Sequence, residues 1–248
     1  MIELDNITKR YAEFTAVDRL NLSVSAGEVF GFIGPNGAGK TTTIKIMGGI
    51  LVPTAGTVRI CGLDIAQNPE AAKRRIGFIP DRPYLYEKLT GMEFLKFTAD
   101  LYGAGRNGFV ERARAQLQRF SLLDWANELI ESYSHGMRQR LIFAAALVHE
   151  PAVIIVDEPM VGLDPAAIRM VKSLFRKLAQ NGVTVFMSTH TLAVAEEVCD
   201  RIGIIHRGRL IASGTPADLQ RASGVSDADL ERVFLNLTGG EIESLGDQ

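Results

Sequence analysis

One short segment restricts the fold of this chain more than any other. Gly34-Pro35-Asn36-Gly37-Ala38-Gly39-Lys40-Thr41 places a glycine, then four residues, then Gly-Lys-Thr. An apolar run, Val29 to Ile33, precedes it and a helical pattern, Thr42 to Met47, follows it, so the segment has to turn a buried strand into a helix. Glycines let backbone N–H groups curl around phosphate oxygens where a Cβ would intrude. The helix start adds the positive end of its dipole. Lys40 supplies a point charge for β- and γ-phosphates, Thr41 a hydroxyl for Mg²⁺, and Thr42 a further phosphate contact. The ligand demanded is a Mg²⁺-bound nucleoside triphosphate.

The rest of the chain agrees with an α/β fold. Short apolar runs at Ile76 to Ile79, Val153 to Val156, Val183 to Met187 and Ile202 to Ile205 alternate with helical patterns, as buried parallel strands with helical crossovers do. Ile2 to Leu4, Leu20 to Val24 and Thr57 to Ile60 instead alternate apolar with polar residues, which predicts an antiparallel β layer beside a mostly parallel core sheet. Between Pro83 and Tyr133 the apolar residues Phe94, Phe97, Leu101, Tyr102, Val110, Ala113, Leu117 and Phe120 recur at helical spacing, so an inserted all-helical subdomain is expected, with these residues and Trp125 in its core. This divides a single domain, 1–248, into a core with its β layer (1–82 and 148–222), a helical part (83–147) and a helical tail (223–248). In the tail, a capping pattern at Ser226 to Asp229 leads into Leu230, Val233, Phe234 and Leu237 on one helix face.

Three further groups carry chemistry. Asp157 and Glu158 end the apolar run from Val153, and strand alternation sends them to opposite sides: Asp157 to hold Mg²⁺, Glu158 to face the γ-phosphate and activate the attacking water. His190 ends another strand, where ligand-binding groups of α/β sheets collect, and can donate to the γ-phosphate; His149 and His206 receive no role. Ser134 stands at the N-cap of a helix running through Leu141, Ala145 and Leu147, with Gly136 opening the backbone to close approach, which makes half of a second phosphate site.

Charge and hydropathy exclude other classes. The 27 basic and 29 acidic residues leave a formal charge of −2, with no basic excess for a nucleic acid. Apolar runs such as Leu141 to Val148 fall short of the roughly 20 residues that span a bilayer. The start, Met1-Ile2-Glu3-Leu4-Asp5, lacks a signal-peptide layout, and Cys61 and Cys199 have no metal-ligand spacing, so the expected location is cytosolic.

Together these residues resemble the nucleotide-binding domain of ATP-binding cassette (ABC) transporters over nearly the whole chain. Gly34 to Thr42 match its Walker A loop, which implies ATP contacts from Gly34, Pro35, Asn36, Gly37, Ala38, Gly39, Lys40, Thr41 and Thr42. Val153 to Glu158 match Walker B, Val161 to Asp164 the D-loop, and His190 the switch histidine, while Tyr11 stands where the family stacks an aromatic on adenine. Tyr133 to Met137 occupy the place of the signature Leu-Ser-Gly-Gly-Gln, with His135 and Met137 replacing a glycine and the glutamine. Asp81 takes the Q-loop position, with a carboxylate in place of glutamine. The resemblance implies a P-loop NTPase of the ABC type, with Glu158, His190, Lys40 and Asp81 in catalysis and Thr41, Asp157 and Asp81 around Mg²⁺. It implies head-to-tail pairing with a second copy or a homologous cassette, each ATP lying between one subunit's phosphate loop and the other's signature helix with Ser134 and Gly136, and Asp164 among the ATP contacts. Membrane permease subunits would dock near Arg82, Tyr84 and Tyr86, holding the chain on the inner face of the cell membrane. The signature and the run Leu230 to Gly239 look like bacterial export cassettes for drugs, lipids, polysaccharides or sodium. The alternative is a soluble ABC ATPase acting on nucleic acid or ribosomes; such proteins carry paired cassettes, a long coiled coil or a basic arm. Glu158 and His190 speak against a module that binds ATP without hydrolysing it.

Overall fold

Strand β3 (Val29–Ile33) is buried along its whole length and feeds two cores. Val29 and Ile33 pack with the helices, whereas Phe30 and Phe32 turn to the opposite side and pack against Phe186, Phe30 stacked and Phe32 tilted. The computed structural model describes residues 1–222 and 230–238. In it β3 lies within a six-stranded sheet of order β10-β9-β3-β8-β7-β6, made with β6 (Ile76–Ile79), β7 (Val153–Asp157), β8 (Thr184–Thr189), β9 (Arg201–His206) and β10 (Arg209–Gly214). The pairs from β9 to β6 are parallel, and β10 closes one edge antiparallel.

The expected second layer is an antiparallel sheet of order β2-β1-β4-β5, formed by β1 (Ile2–Tyr11), β2 (Phe14–Val24), β4 (Ala55–Ile60) and β5 (Leu63–Asp64). It covers the Phe30 and Phe32 face through Ile2, Ile7, Leu20, Val24 and Ile60, with Ile44, Ile46 and Met47 of α1 (Lys40–Met47) in the same core. β1 and β2 run further than their alternation predicts. Register shifts after Leu4, Ile7 and Lys9 break the period of two without ending the pairing.

After α2 (Pro69–Lys73), which the sequence pattern did not reveal, come α3 (Gly91–Leu101), α4 (Phe109–Arg119) and α5 (His135–Leu147). Thr90 and Glu93 form a reciprocal capping box that starts α3. Phe94, Leu95, Ala99, Ala113, Leu117 and Phe120 build the core expected there. Phe97, Leu101, Val110 and Trp125 do not join it, being 39, 69, 52 and 42% exposed. On α4 the buried stripe is Phe109, Ala113 and Leu117, one position away from Val110. Phe97 instead meets Tyr86 edge-on at 5.2 Å, and Tyr86 meets Tyr84 at 5.3 Å.

Then follow α6 (Pro165–Gln180), α7 (Leu192–Val198), α8 (Pro216–Ala222) and α9 (Leu230–Thr238). α9 buries Leu230, Val233 and Phe234, but Leu237 is 43% exposed; the capping pattern at Ser226 to Asp229 lies outside the described residues. Among the described residues, no helix is long and apolar enough to cross a membrane. Burial pushes the Cys61 and Cys199 thiols above their ordinary value, as suits unreactive side chains.

Candidate functional site

The parallel strands all present their carboxyl ends to one side, and the segments leaving β3, β6, β7 and β8 meet there. They enclose a cleft of about 450 Å³ lined by Tyr11, Phe14, Asn36 to Thr42, Asp81, Asp157, Glu158, Val161 and His190. Residues scattered along the chain thus converge. Gly34 and Pro35 form the base of the loop, and their carbonyls accept from Lys40 Nζ at 2.6 and 3.1 Å.

Helix α1 begins at Gly39, whose φ of 107° belongs to the left-handed region, and no side chain caps it. Its first-turn N–H groups are left for an anion. A Cβ at Gly34 would strike the Ile205 carbonyl, so this glycine is fixed by packing as well as by ligand approach. Lys40 is 7% exposed. Burial pulls its ammonium below the usual lysine value, opposed by the carboxylates of Glu158 and Asp157.

Asp157 is 3% exposed and accepts a hydrogen bond from the Ser188 hydroxyl. The same Ser188 oxygen accepts from the Glu158 amide at 3.2 Å. Strand β7 stops at Asp157, and Glu158 has a φ of 49°. Glu158 thus lies just past the strand in a left-handed conformation, so strand alternation does not by itself set its direction. That conformation costs roughly 1 to 3 kcal/mol in a non-glycine residue, so it persists because its surroundings hold it. His190 contributes to that hold: its Nδ1 lies 3.0 Å from Glu158 Oε2.

The segment around α5 lies apart from this cleft. Ser134 caps α5 as expected, its hydroxyl accepting from the Met137 amide at 3.3 Å. A Cβ at Gly136 would meet nothing within 4 Å among the described residues, so none of these requires glycine there. His135 approaches the D-loop segment, with Nε2 3.3 Å from the point a Gly162 Cβ would take. Arg138 bonds Glu87 at 2.6 Å and the carbonyls of Glu131 and Tyr133 at 3.0 and 3.1 Å, tying α5 to the segment that carries Tyr84 and Tyr86. Asp164 is not brought to the cleft within one chain; its carboxylate caps α6 by accepting from Ala167 N at 2.8 Å.

The model of a protein family described as ABC transporter matches residues 17–161. The chain belongs to the ABC transporter family. It is 38% identical over 96% of its length to the probable multidrug ABC transporter ATP-binding protein YbhF of Escherichia coli (strain K12), and spans 41% of that protein. A solved ATP-binding subunit of an ABC transporter superposes with a TM-score of 0.89 at 34% identity, covering 96% of this chain and 99% of that one. A dimeric post-hydrolysis ATP-binding cassette bound to ADP and Pi gives 0.77 at 29% identity, covering 87% of this chain and 98% of that one. The fold is that of an ABC ATPase cassette.

The cassette's donors fit a hard divalent cation. Among the described residues no group of three His, Cys, Asp or Glu side chains forms a ready cage. Asp157 and Thr41, both lining the cleft, are one carboxylate and one hydroxyl, hard oxygen donors that would hold a cation such as Mg²⁺. Ser188 escaped the sequence reading, although it joins both acids of the cassette. Its signal was a serine at the end of an apolar strand, but its role depends on the pairing of Asp157 with Ser188 across β7 and β8.

Proposed function

We propose that this cassette binds and hydrolyses Mg²⁺-ATP and thereby drives export through separately encoded membrane permease subunits. The convergence of Lys40, Asp157, Glu158 and His190 in one cleft, with the His190 ring bonded to the Glu158 carboxylate, supports the reading most strongly. Tyr11, 46% exposed at the cleft's rim, would stack on adenine. The phosphate loop and Lys40 take the triphosphate. Glu158 accepts the proton of the attacking water, and His190 keeps its carboxylate aimed through Nδ1. Mg²⁺, held by Thr41 and Asp157, would neutralise charge developing on the phosphates. Asp81 lines both this cleft and the neighbouring hollow with Tyr84 and Tyr86, which suits a residue that senses a docked permease.

Ser134 and Gly136 lie at an open helix start outside the cleft, as suits a half-site offered to the ATP of a second copy or a homologous cassette. The dimeric relative with ADP and Pi supports that pairing. Export is supported by the likeness to a protein named for multidrug transport, and a location on the cytoplasmic face of the membrane follows from docking on permeases.

Replacing Glu158 with Gln tests the chemistry: turnover is expected to fall at least 100-fold while ATP still binds. Unchanged hydrolysis would remove Glu158 as the base. Lys40→Ala is expected to lose ATP binding, and affinity capture to recover a polytopic membrane protein. Recovery of ribosomes or nucleic acid alone would favour the soluble alternative.

A further inference from the structure

Strands β9 and β10 are joined by Arg207 and Gly208, both with positive φ, 46° and 78°, between the paired residues His206 and Arg209. This is the two-residue hairpin geometry that matches strand twist and favours glycine at its second position. The turn packs against the phosphate loop. The Gly208 amide donates to the Ala38 carbonyl at 2.9 Å, and the Gly208 carbonyl accepts from the Asp18 amide at 2.9 Å. Arg209 braces the turn from outside, with Nε and Nη2 at 2.8 and 2.6 Å from Asp18 Oδ2.

A planar trans peptide points its C=O and its N–H in opposite directions. Ala38 O and Gly39 N share one such plane. Holding the carbonyl on the Gly208 side therefore turns the Gly39 N–H the other way, toward the cleft that Gly39 lines. The mould is tight on both flanks. A Cβ on Gly208 would lie 2.9 Å from the Ala16 carbonyl, which a Cβ on Gly39 would also strike, and a Cβ on Gly34 would strike Ile205 of β9.

We infer that the Arg207-Gly208 turn is a positioning element for nucleotide: by holding the Ala38 carbonyl, Gly208 aims the Gly39 amide and sets phosphate affinity. This rests on the phosphate loop being the ATP site. Gly208→Ala in the full chain forces the turn away from Ala16. The expected result is a rise of about tenfold in both the KM and the equilibrium dissociation constant for Mg²⁺-ATP, the scale of one misaligned hydrogen bond, with a much smaller fall in kcat. A folded Gly208→Ala protein with unchanged KM and a lower melting temperature would overturn the inference, since the glycine would then serve stability alone. Should that variant not fold, Asp18→Asn and Arg209→Ala loosen the same turn without a steric clash; each is expected to raise KM about twofold, and unchanged values in both would equally overturn it. Lys40→Ala separates the two levels: if it too leaves ATP binding intact, the reading of the loop as the ATP site fails first.

Discussion

Ser188 illustrates how much of a site can rest on a residue outside its motifs. Asp157 is buried among apolar strands, where a carboxylate needs donors, and Ser188 supplies one while also accepting from the Glu158 amide. One hydroxyl thus orients the expected metal ligand and restrains the left-handed residue that presents the expected base. Removing it leaves both groups short of a partner. Ser188→Ala is predicted to destabilise the protein by about 2 kcal/mol, the usual worth of a hydrogen bond to a charged group, and to slow ATP turnover. Urea denaturation alongside a hydrolysis assay would measure this; unaltered stability together with wild-type turnover would mean that Asp157 and Glu158 do not depend on Ser188.

Helix α5 has two ends with opposite tasks. Its start, from Ser134, is exposed and capped, whereas Leu141 to Leu147 are buried. Just beyond its last turn, His149 fastens the helix to the sheet: Nε2 lies 3.0 Å from the Ile76 carbonyl, and the ring stacks on Tyr102 at 3.8 Å. Since a carbonyl only accepts, the proton sits on Nε2, and the buried Nδ1 has no hydrogen-bond partner among the described residues. Burial lowers the pKa of His149 to about 4, against the smaller upward pull of the Ile76 bond. Between about pH 6.5 and 4 the unfolded chain therefore binds a proton at this position that the folded protein does not, so stability declines as pH falls through that window, by at most about 3 kcal/mol. His149→Phe keeps the ring and removes the titration. Its melting temperature is predicted to fall less than that of the wild type between pH 7.5 and pH 4.5; parallel declines would assign the acid sensitivity elsewhere.

At the scale of the whole molecule, one chain holds the phosphate loop, both acids and His190 in a single cleft, and holds Ser134 and Gly136 outside it. The pairing proposed above predicts assembly driven by ATP. Glu158→Gln with ATP is expected to sediment as a dimer, and adding Ser134→Arg to return it to monomer; a dimer that ignores both ATP and the second substitution would place the interface elsewhere. The phosphate loop, the α/β class and the N-cap of α5 were legible in the chain because each depends on neighbours within a few residues: glycine spacing, the period of apolar residues, a hydroxyl one step before a helix. The exposure of Phe97 and Trp125 was not, because helical spacing marks a helix without saying which face meets another element. Nor were the partnership of Ser188 with Asp157 or the grip of Gly208 on Ala38, since both join segments far apart in sequence. Local order along the chain thus determined what this protein is built to bind, as short-range sterics and periodicity act before any folding. How Asp157 and Glu158 are held and the phosphate loop is braced was decided by the tertiary structure alone, because the strand order β9-β3-β8-β7 is what brings those backbones within hydrogen-bonding distance.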